Sequence, residues 1–554
     1  MGDADHNGTA RALIDRYWDG LLESEPLLGT MVGDERFDDR LPDPGPDGRA
    51  ARERLHAGAL EEVGLLDRNE LEDDLRISLD ILEAIARRDL AALEHRIDRL
   101  WVASHLWGPA GLVGELASLQ RADTPERLDR YVARISATPG FYEAAIEILN
   151  EGVADGVTAP RIVVERAVAQ TERIIQAGTD ASPVLSPLAE DDTPGRERMS
   201  AAIDRDLLPA LGRYLEAMRM YLPNATDSIG LHALPNGDAM YAAQILSWTT
   251  LPLDAKSVHD IGLEDLTKIQ EERARSADML GHPSAADVAE ALAADPANTF
   301  TSKEELKATA EEQVRRSWDA APAWFGRLPK ANCEVRLVEE FREEDMPFAF
   351  YNAPTQDRSR PGVYYVNGFG LEGKTRHQLA STTYHEANPG HHFQISLEQE
   401  MEGRTLLRRF GSIMAGSAFA EGWGLYSERL ADEMGLFVDE AERLGMLDLQ
   451  GMRAARLVVD TGIHALGWKR EQAIATLEEA GVPNVDAVIE TDRYITMPGQ
   501  ALSYKIGQFE IERQRAAATE REGAAFSLSA FHDRLLSLGS LPLTALRREL
   551  DRSA

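Results

Sequence analysis

Apolar residues recurring at intervals of three and four run through most of the chain, the spacing of helices that bury one face. RLDRYVARISATPGFYEAAIEILNEGV (127–153) shows it clearly, with a break expected at Pro139 and Gly140. RIVVERAVAQTERIIQAG (161–178) repeats it and offers Gly178 as a C-cap. GLEDLTKIQEERARSADML (262–280) and the stretch from Ser302 to Phe325 continue it. The first of these two has no evident cap, whereas Thr301 or Ser302 could cap the second. Past residue 416, SAFAEGWGLYSERLADEMG, AERLGMLDLQGMRAARLVVDTGIHALG and REQAIATLEEAG all read as helices.

The pattern changes in one place. CEVRLVEEF (333–341), FAFYNAP (348–354) and GVYYVNG (362–368) are short, β-branched or aromatic, and bounded by Pro, Gly and Asp. They predict a small antiparallel sheet at about 333–368, leading into helices at about 376–432. No fixed-period repeat or clear interdomain linker interrupts residues 1–554, so the pattern favours one continuous, mainly α unit.

Apolar residues make up 43% of the 554, enough for a sizeable core. The formal charge of −35, from 94 acidic against 59 basic residues, disfavours nucleic acid and anionic membranes as partners. A single cysteine, Cys333, excludes an intramolecular disulfide and cysteine-rich metal sites. With no basic-then-apolar leader and no long apolar span, a soluble cytoplasmic protein is expected.

The chemistry concentrates at HEANPGHH (385–392). In a helix, residues four apart share a face, which is how two histidines hold one zinc with a glutamate between them. Here the fourth position after His385 is Pro389. Its ring would clash with the His385 carbonyl, so the helix must bulge or kink. If Pro-Gly is looped out, His391 takes the place of the missing ligand. In an undistorted helix His392 would instead return to within about 20° of His385. His391 is preferred, with His392 as runner-up or as a group facing substrate.

A third ligand is available in FAEGWGLYSERL, where Glu421 and Glu428 lie seven apart on one helix face. Glu421, beside Gly422 and Gly424, suits direct ligation, and Glu428 suits support of a ligand histidine through its free nitrogen. Isolated His-Glu pairs arise by chance. Three histidines within eight residues, an adjacent Glu386 and a downstream glutamate helix outweigh that explanation. Two imidazoles and a carboxylate fit one Zn2+ per chain best, although iron, manganese or cobalt use the same set.

HEANPGHHFQ followed by AEGWGLYSE resembles the bacterial family known as domain of unknown function 885, whose pattern is His-Glu-x-x-Pro-Gly-His and then Glu-Gly-Trp. RYWDGLLESEPLLGTMVGDERFDDRLPD near the start, RPGVYYVNG before the motif, and VVDTGIHALGW and DRYITMPGQALSYKIGQFEI near the end extend the resemblance almost end to end. It implies a gluzincin-like metallopeptidase fold, similar to thermostable carboxypeptidases and oligopeptidases, with two helical lobes flanking a deep central channel. It also implies His385, His391 and Glu421 as zinc ligands and Glu386 as general base. Tyr504 or His464 would then polarise the substrate carbonyl. Arg493 or Lys505 could clamp a substrate carboxylate, the strand at 362–368 could pair with substrate along its edge, and Asn367 at its tip could hydrogen-bond it. Trp423 reads as core.

The expected function is hydrolysis of peptide bonds in short peptides or peptide-like substrates, by a monomer or homodimer. The alternatives are an amidase acting on a non-peptide amide, and an inactive binding protein that retains the fold.

Overall fold

The computed structural model describes residues 6–552 except 341, 342, 344, 345, 355–360, 372, 373 and 411–416. The described residues are mainly helical, with one three-stranded sheet among them. Among the described residues no helix is long and apolar enough to cross a membrane.

The chain divides into two compact units. One runs to Ala243 and includes Ile463–Lys469; the other comprises Gln244–Gly462 and the residues from Arg470 onward.

In the first unit, helices α1 (Pro125–Ser136) and α2 (Thr138–Asp155) follow one another with only Ala137 between them. The break falls two residues before the expected Pro-Gly turn. Pro139 lies in the first turn of α2, where its missing N–H would have had no helical partner. The core behind these helices includes Tyr142 and Tyr214, both fully buried with ring centroids 5.3 Å apart. Each hydroxyl finds a backbone carbonyl: Tyr142 donates to Pro109 at 3.1 Å and Tyr214 to Val102 at 2.5 Å. The pair therefore adds apolar burial without an unpaired polar atom.

In the second unit, α3 (Ala255–Met279) begins earlier than the apolar spacing suggested, because Asp254 caps it by accepting the Ser257 N–H at 2.9 Å. Helix α4 (Lys303–Ala320) is capped as expected by Ser302, which accepts from the Glu305 N–H at 3.1 Å.

The sheet differs from the antiparallel expectation. Strands β1 (Cys333–Leu337), β2 (Ala349–Asn352) and β3 (Gly362–Val366) lie in the order β1-β3-β2. β1 pairs parallel with β3, Cys333 opposite Gly362, whereas β2 pairs antiparallel, Ala349 opposite Val366. All five residues of β3 are buried, as a continuous apolar and aromatic run requires of a central strand. β1, which alternates, takes an edge. With both sides of β3 occupied, it has no free edge for a substrate backbone. Its Tyr364 and Val366 share a core with Leu306 and Ala310 of α4 and with Leu379 of the next helix. That helix, α5 (Arg376–Glu386), and four more build the site: α6 (His391–Gln399), α7 (Ser417–Glu433), α8 (Glu440–His464) and, after α9 (Asn484–Thr496), α10 (Ser503–Glu522).

Candidate metal centre

The HEANPGH stretch is a junction between two helices rather than a bulge inside one. α5 stops at Glu386, residues 387–390 turn, and His391 opens α6. Pro389 has no N–H to continue the ladder, and its peptide bond with Asn388 is cis. At Gly390 an added Cβ would lie 1.8 Å from the His385 carbonyl oxygen, so only glycine fits. From α7, Trp423 donates its indole N–H to the Pro389 carbonyl at 2.9 Å and approaches that of Gly390 at 3.3 Å. Trp423 is fully buried, as expected of core, and it also holds the turn in place.

The consequence is that His385 and His391 face each other, ring centroids 4.7 Å apart and nearly perpendicular. Ligand atoms of His385, Glu386 and His391 all lie within 4.8 Å of one another. Glu421 Oε2 stands 3.5 Å from His385 Nε2 and 3.6 Å from His391 Nε2. Donors bound tetrahedrally at about 2.0–2.1 Å from a zinc ion are separated by roughly 3.3 Å, so these spacings suit a shared cation with little adjustment. α7 lies close to His385 because position 424 is glycine; a Cβ there would meet the His385 ring at 2.6 Å. Gly422, on the other side of α7, lets the Gly507 backbone of α10 approach, where a Cβ would come within 2.4 Å.

His385 is oriented by a chain of buried groups. Its Nδ1 meets Glu428 Oε1 at 2.8 Å. Gln450 donates to Glu428 Oε2 at 2.8 Å and accepts from Lys505 Nζ at 2.8 Å, and Lys505 pairs with Asp265 at 3.0 Å. Glu428 thus stands against the His385 nitrogen that faces away from Glu421, whereas Lys505 is not placed to clamp a substrate as expected. The ammonium is 1% exposed and already committed, so it does not reach substrate. His391 lacks such support: its Nδ1 is buried without a hydrogen-bond partner among the described residues.

Burial and charge work against each other here. Burial disfavours protonation of His385, but the carboxylates of Glu421 and Glu428, which accept from its ring, outweigh it and lift its pKa to about 10 in the metal-free protein. Burial also acts against ionisation of Glu421, yet the two histidines hold its carboxyl well below the usual range. For Glu386 burial wins: its pKa is raised, with His391 and His385 only partly offsetting the effect.

The other expected residues separate. His392 is turned away into the protein, fully buried. Its Nδ1 meets the Tyr351 hydroxyl at 2.9 Å, its Nε2 meets the Ala331 carbonyl at 3.0 Å, and burial lowers its pKa to about 4. Neither nitrogen is left for metal or substrate. Asn367 is equally occupied, donating to the Glu343 and Met346 carbonyls at 2.7 and 2.8 Å and accepting from the Phe369 N–H at 2.9 Å. It shapes its own loop rather than binding a ligand. His464 belongs to the first unit, where its Nδ1 accepts the Leu231 N–H at 3.3 Å and its ring packs on Tyr241. Tyr504 and Arg493 stay together: Arg493 approaches the Tyr504 hydroxyl at 3.4 Å, Gln500 at 2.6 Å and Glu490 at 3.3 Å.

Gln450, Asp265 and the turn-holding contact of Trp423 went unread in the sequence. For Gln450 a signal existed. Gln450, Arg453 and Arg456 place polar groups at three-residue spacing along an otherwise apolar helix, the mark of a polar stripe facing partners inside the protein.

Residues 26–550 match the family described as bacterial protein of unknown function (DUF885), and the chain belongs to that family. No curated protein matches the chain. Among solved structures, it is similar to a candidate lipoprotein from Colwellia psychrerythraea at 24% identity, with a TM-score of 0.88 over 98% of this chain and 99% of that one. It is also similar to a candidate lipoprotein of unknown function from Shewanella oneidensis at 19% identity, with a TM-score of 0.78 over 97% and 98% of the two chains. These likenesses show a shared fold along nearly the whole length.

Proposed function

We propose that this protein is a metal-dependent hydrolase, with zinc as the fitting ion, that cleaves amide bonds in short peptides or peptide-like substrates. The observation that carries the reading is the position of Glu421 Oε2, 3.5 and 3.6 Å from the facing nitrogens of His385 and His391, with Glu386 in the same cluster. The gluzincin-like resemblance, with a channel that admits short chains, belongs to the same proposal.

His385, His391 and Glu421 would hold the ion, which supplies Lewis acidity that brings the pKa of water toward neutrality. Glu386 takes a proton from the attacking water and returns it to the leaving amine as the C–N bond breaks. Glu428 fixes the His385 tautomer, with the proton on Nδ1 and Nε2 free to ligate. Gln450 donates to Glu428 and is itself held by Lys505, so the carboxylate stays in place behind His385. For the developing oxyanion, Tyr504 is favoured over His464, because Arg493 donates to its hydroxyl oxygen and leaves the hydroxyl proton to give, whereas His464 Nδ1 is taken by the backbone of Leu231.

The test is elemental analysis of the purified chain after dialysis against trace zinc, joined to a peptide-library digest. About one zinc per chain, with cleavage lost in Glu386→Gln, supports the reading. A chain that takes up no metal when offered zinc refutes it.

A further inference from the structure

Both residues expected to clamp a substrate carboxylate are paired internally, whereas Arg453 has no carboxylate partner among the described residues. Gln450, Arg453 and Arg456 follow one another at three-residue steps on α8, so their side chains leave the helix in neighbouring directions. Gln450 reaches Glu428 behind the metal cluster. Arg456 reaches Glu490 at 2.9 Å and the Tyr494 hydroxyl at 3.0 Å, with its guanidinium over the Tyr504 ring at 4.4 Å. Arg453 stands between these two groups.

Its guanidinium has five N–H donors. One long contact, Nη1 to the Leu449 carbonyl at 3.4 Å, is its hydrogen bond among the described residues, and Nε is buried with no partner. No carboxylate of the described residues lies within 4.0 Å of it. Its step on α8 falls between Gln450, which contacts Glu428 behind His385, and Arg456, which contacts Glu490. Glu490 is already shared by Arg456 and Arg493. The contacts of Glu490 thus go to two other guanidinium groups, and Arg453 is left without a carboxylate partner among the described residues. A half-buried, underused guanidinium carries a desolvation cost that a planar anion relieves by paired hydrogen bonds.

We infer that Arg453 anchors the free C-terminal carboxylate of the substrate, making the enzyme one that removes C-terminal residues from short peptides or splits dipeptides and N-acyl amino acids. The inference rests on the hydrolase reading and names its substrate class. Hydrolysis consumes one water: the C–N bond before the terminal residue breaks, a new carboxylate forms on the acyl side, and the released amine takes the proton carried by Glu386. The anchor holds the amide one residue from the carboxylate, while Arg456 and Arg493 remain occupied with Glu490.

The experiment offers the full, zinc-loaded chain two peptide pools of the same sequences, one with free C-termini and one amidated, and follows products by mass spectrometry. Wild type is expected to release single C-terminal residues from the free-acid pool, with kcat/KM about 100-fold above the amidated pool. Arg453→Met should bring that ratio near one, chiefly through KM, and Arg453→Lys should recover part of it. Equal cleavage of both pools by wild type overturns the anchor and leaves the hydrolase intact. So does an equal fall on both pools in Arg453→Met, which would make Arg453 a counter-charge for Glu386. Calorimetry on zinc-loaded Glu386→Gln separates the two readings if no pool is cleaved. Tighter binding of free-acid peptides, lost on adding Arg453→Met, upholds the anchor without the hydrolase, and equal binding of acid and amide removes both.

Discussion

Trp423 donates its indole N–H to the carbonyl of Pro389 at 2.9 Å, and this bond ties α7 to the turn that carries the chain from His385 to His391. The turn ends at Gly390, so the residue that follows it opens α6 toward His385, while His392 points into the core. Replacing Trp423 with Phe keeps most of the buried ring and removes the donor. A lost bond of about 1 kcal/mol should weaken zinc binding by roughly fivefold to tenfold, measured by competition with a chelator. Unchanged affinity would mean that the backbone alone sets the turn.

His391→Ala and His392→Ala should behave oppositely. The first is expected to lose zinc and keep its thermal midpoint in the metal-free state. The second is expected to keep one zinc per chain but to lose roughly 2–4 kcal/mol of stability, since it opens a cavity and strands the partners Tyr351 and Ala331. Elemental analysis with urea unfolding measures both, and zinc loss confined to His392→Ala would overturn the ligand assignment.

Glu428→Gln keeps the shape of the side chain but removes the charge that orients His385. Zinc affinity should fall by about 10-fold to 100-fold, the usual effect of removing a carboxylate behind a ligand histidine. A stopped-flow measurement of zinc release should find the rate raised to match. An unaltered release rate would show that Glu428 is only a packing group.

Gly424→Ala places a methyl 2.6 Å from the His385 ring, where neither the α7 backbone nor the ligand can yield without moving Glu428 or Glu421. Zinc stoichiometry should drop well below one per chain while helical circular dichroism is kept. Full zinc loading in this variant would argue that α5 and α7 slide freely.

The pH dependence of stability has a local test at His532, which is fully buried between Tyr426 and the Trp324 carbonyl. Burial lowers its pKa to about 4, from an unfolded value near 6.5. The unfolded chain thus takes up a proton that the folded chain refuses between those values, and stability contributed by neutral His532 is lost as the pH falls through that window. Compared with His532→Gln, wild type should lose about 2 kcal/mol of relative stability between pH 7 and pH 5 in urea titrations. A pH-independent difference would place the imidazole in contact with water.

The helices were legible because burial of one face imposes a period on the chain, and Ser302 was legible as a cap because its hydroxyl satisfies an N–H three residues on. The sheet was read only in part: its strands were clear, but strand order depends on partners beyond local range. The fully apolar GVYYV run nonetheless marks β3 as central.

For the site, the sequence by itself determined the chemistry on offer: two imidazoles and a carboxylate within seven residues, further carboxylates on a later helix, a proline that stops a helix, and a glycine that lets it restart. Those are local properties, set by which atoms each residue carries and which dihedrals it tolerates. Only the tertiary structure decided that α5 and α6 are separate helices, that His392 serves the core, that Lys505 lies behind the site rather than in it, and that Arg453 is left with donors to spare. Each of those outcomes depends on which helix packs against which, and packing joins residues such as Glu428, Gln450 and Lys505 that the chain keeps 22 and 55 positions apart.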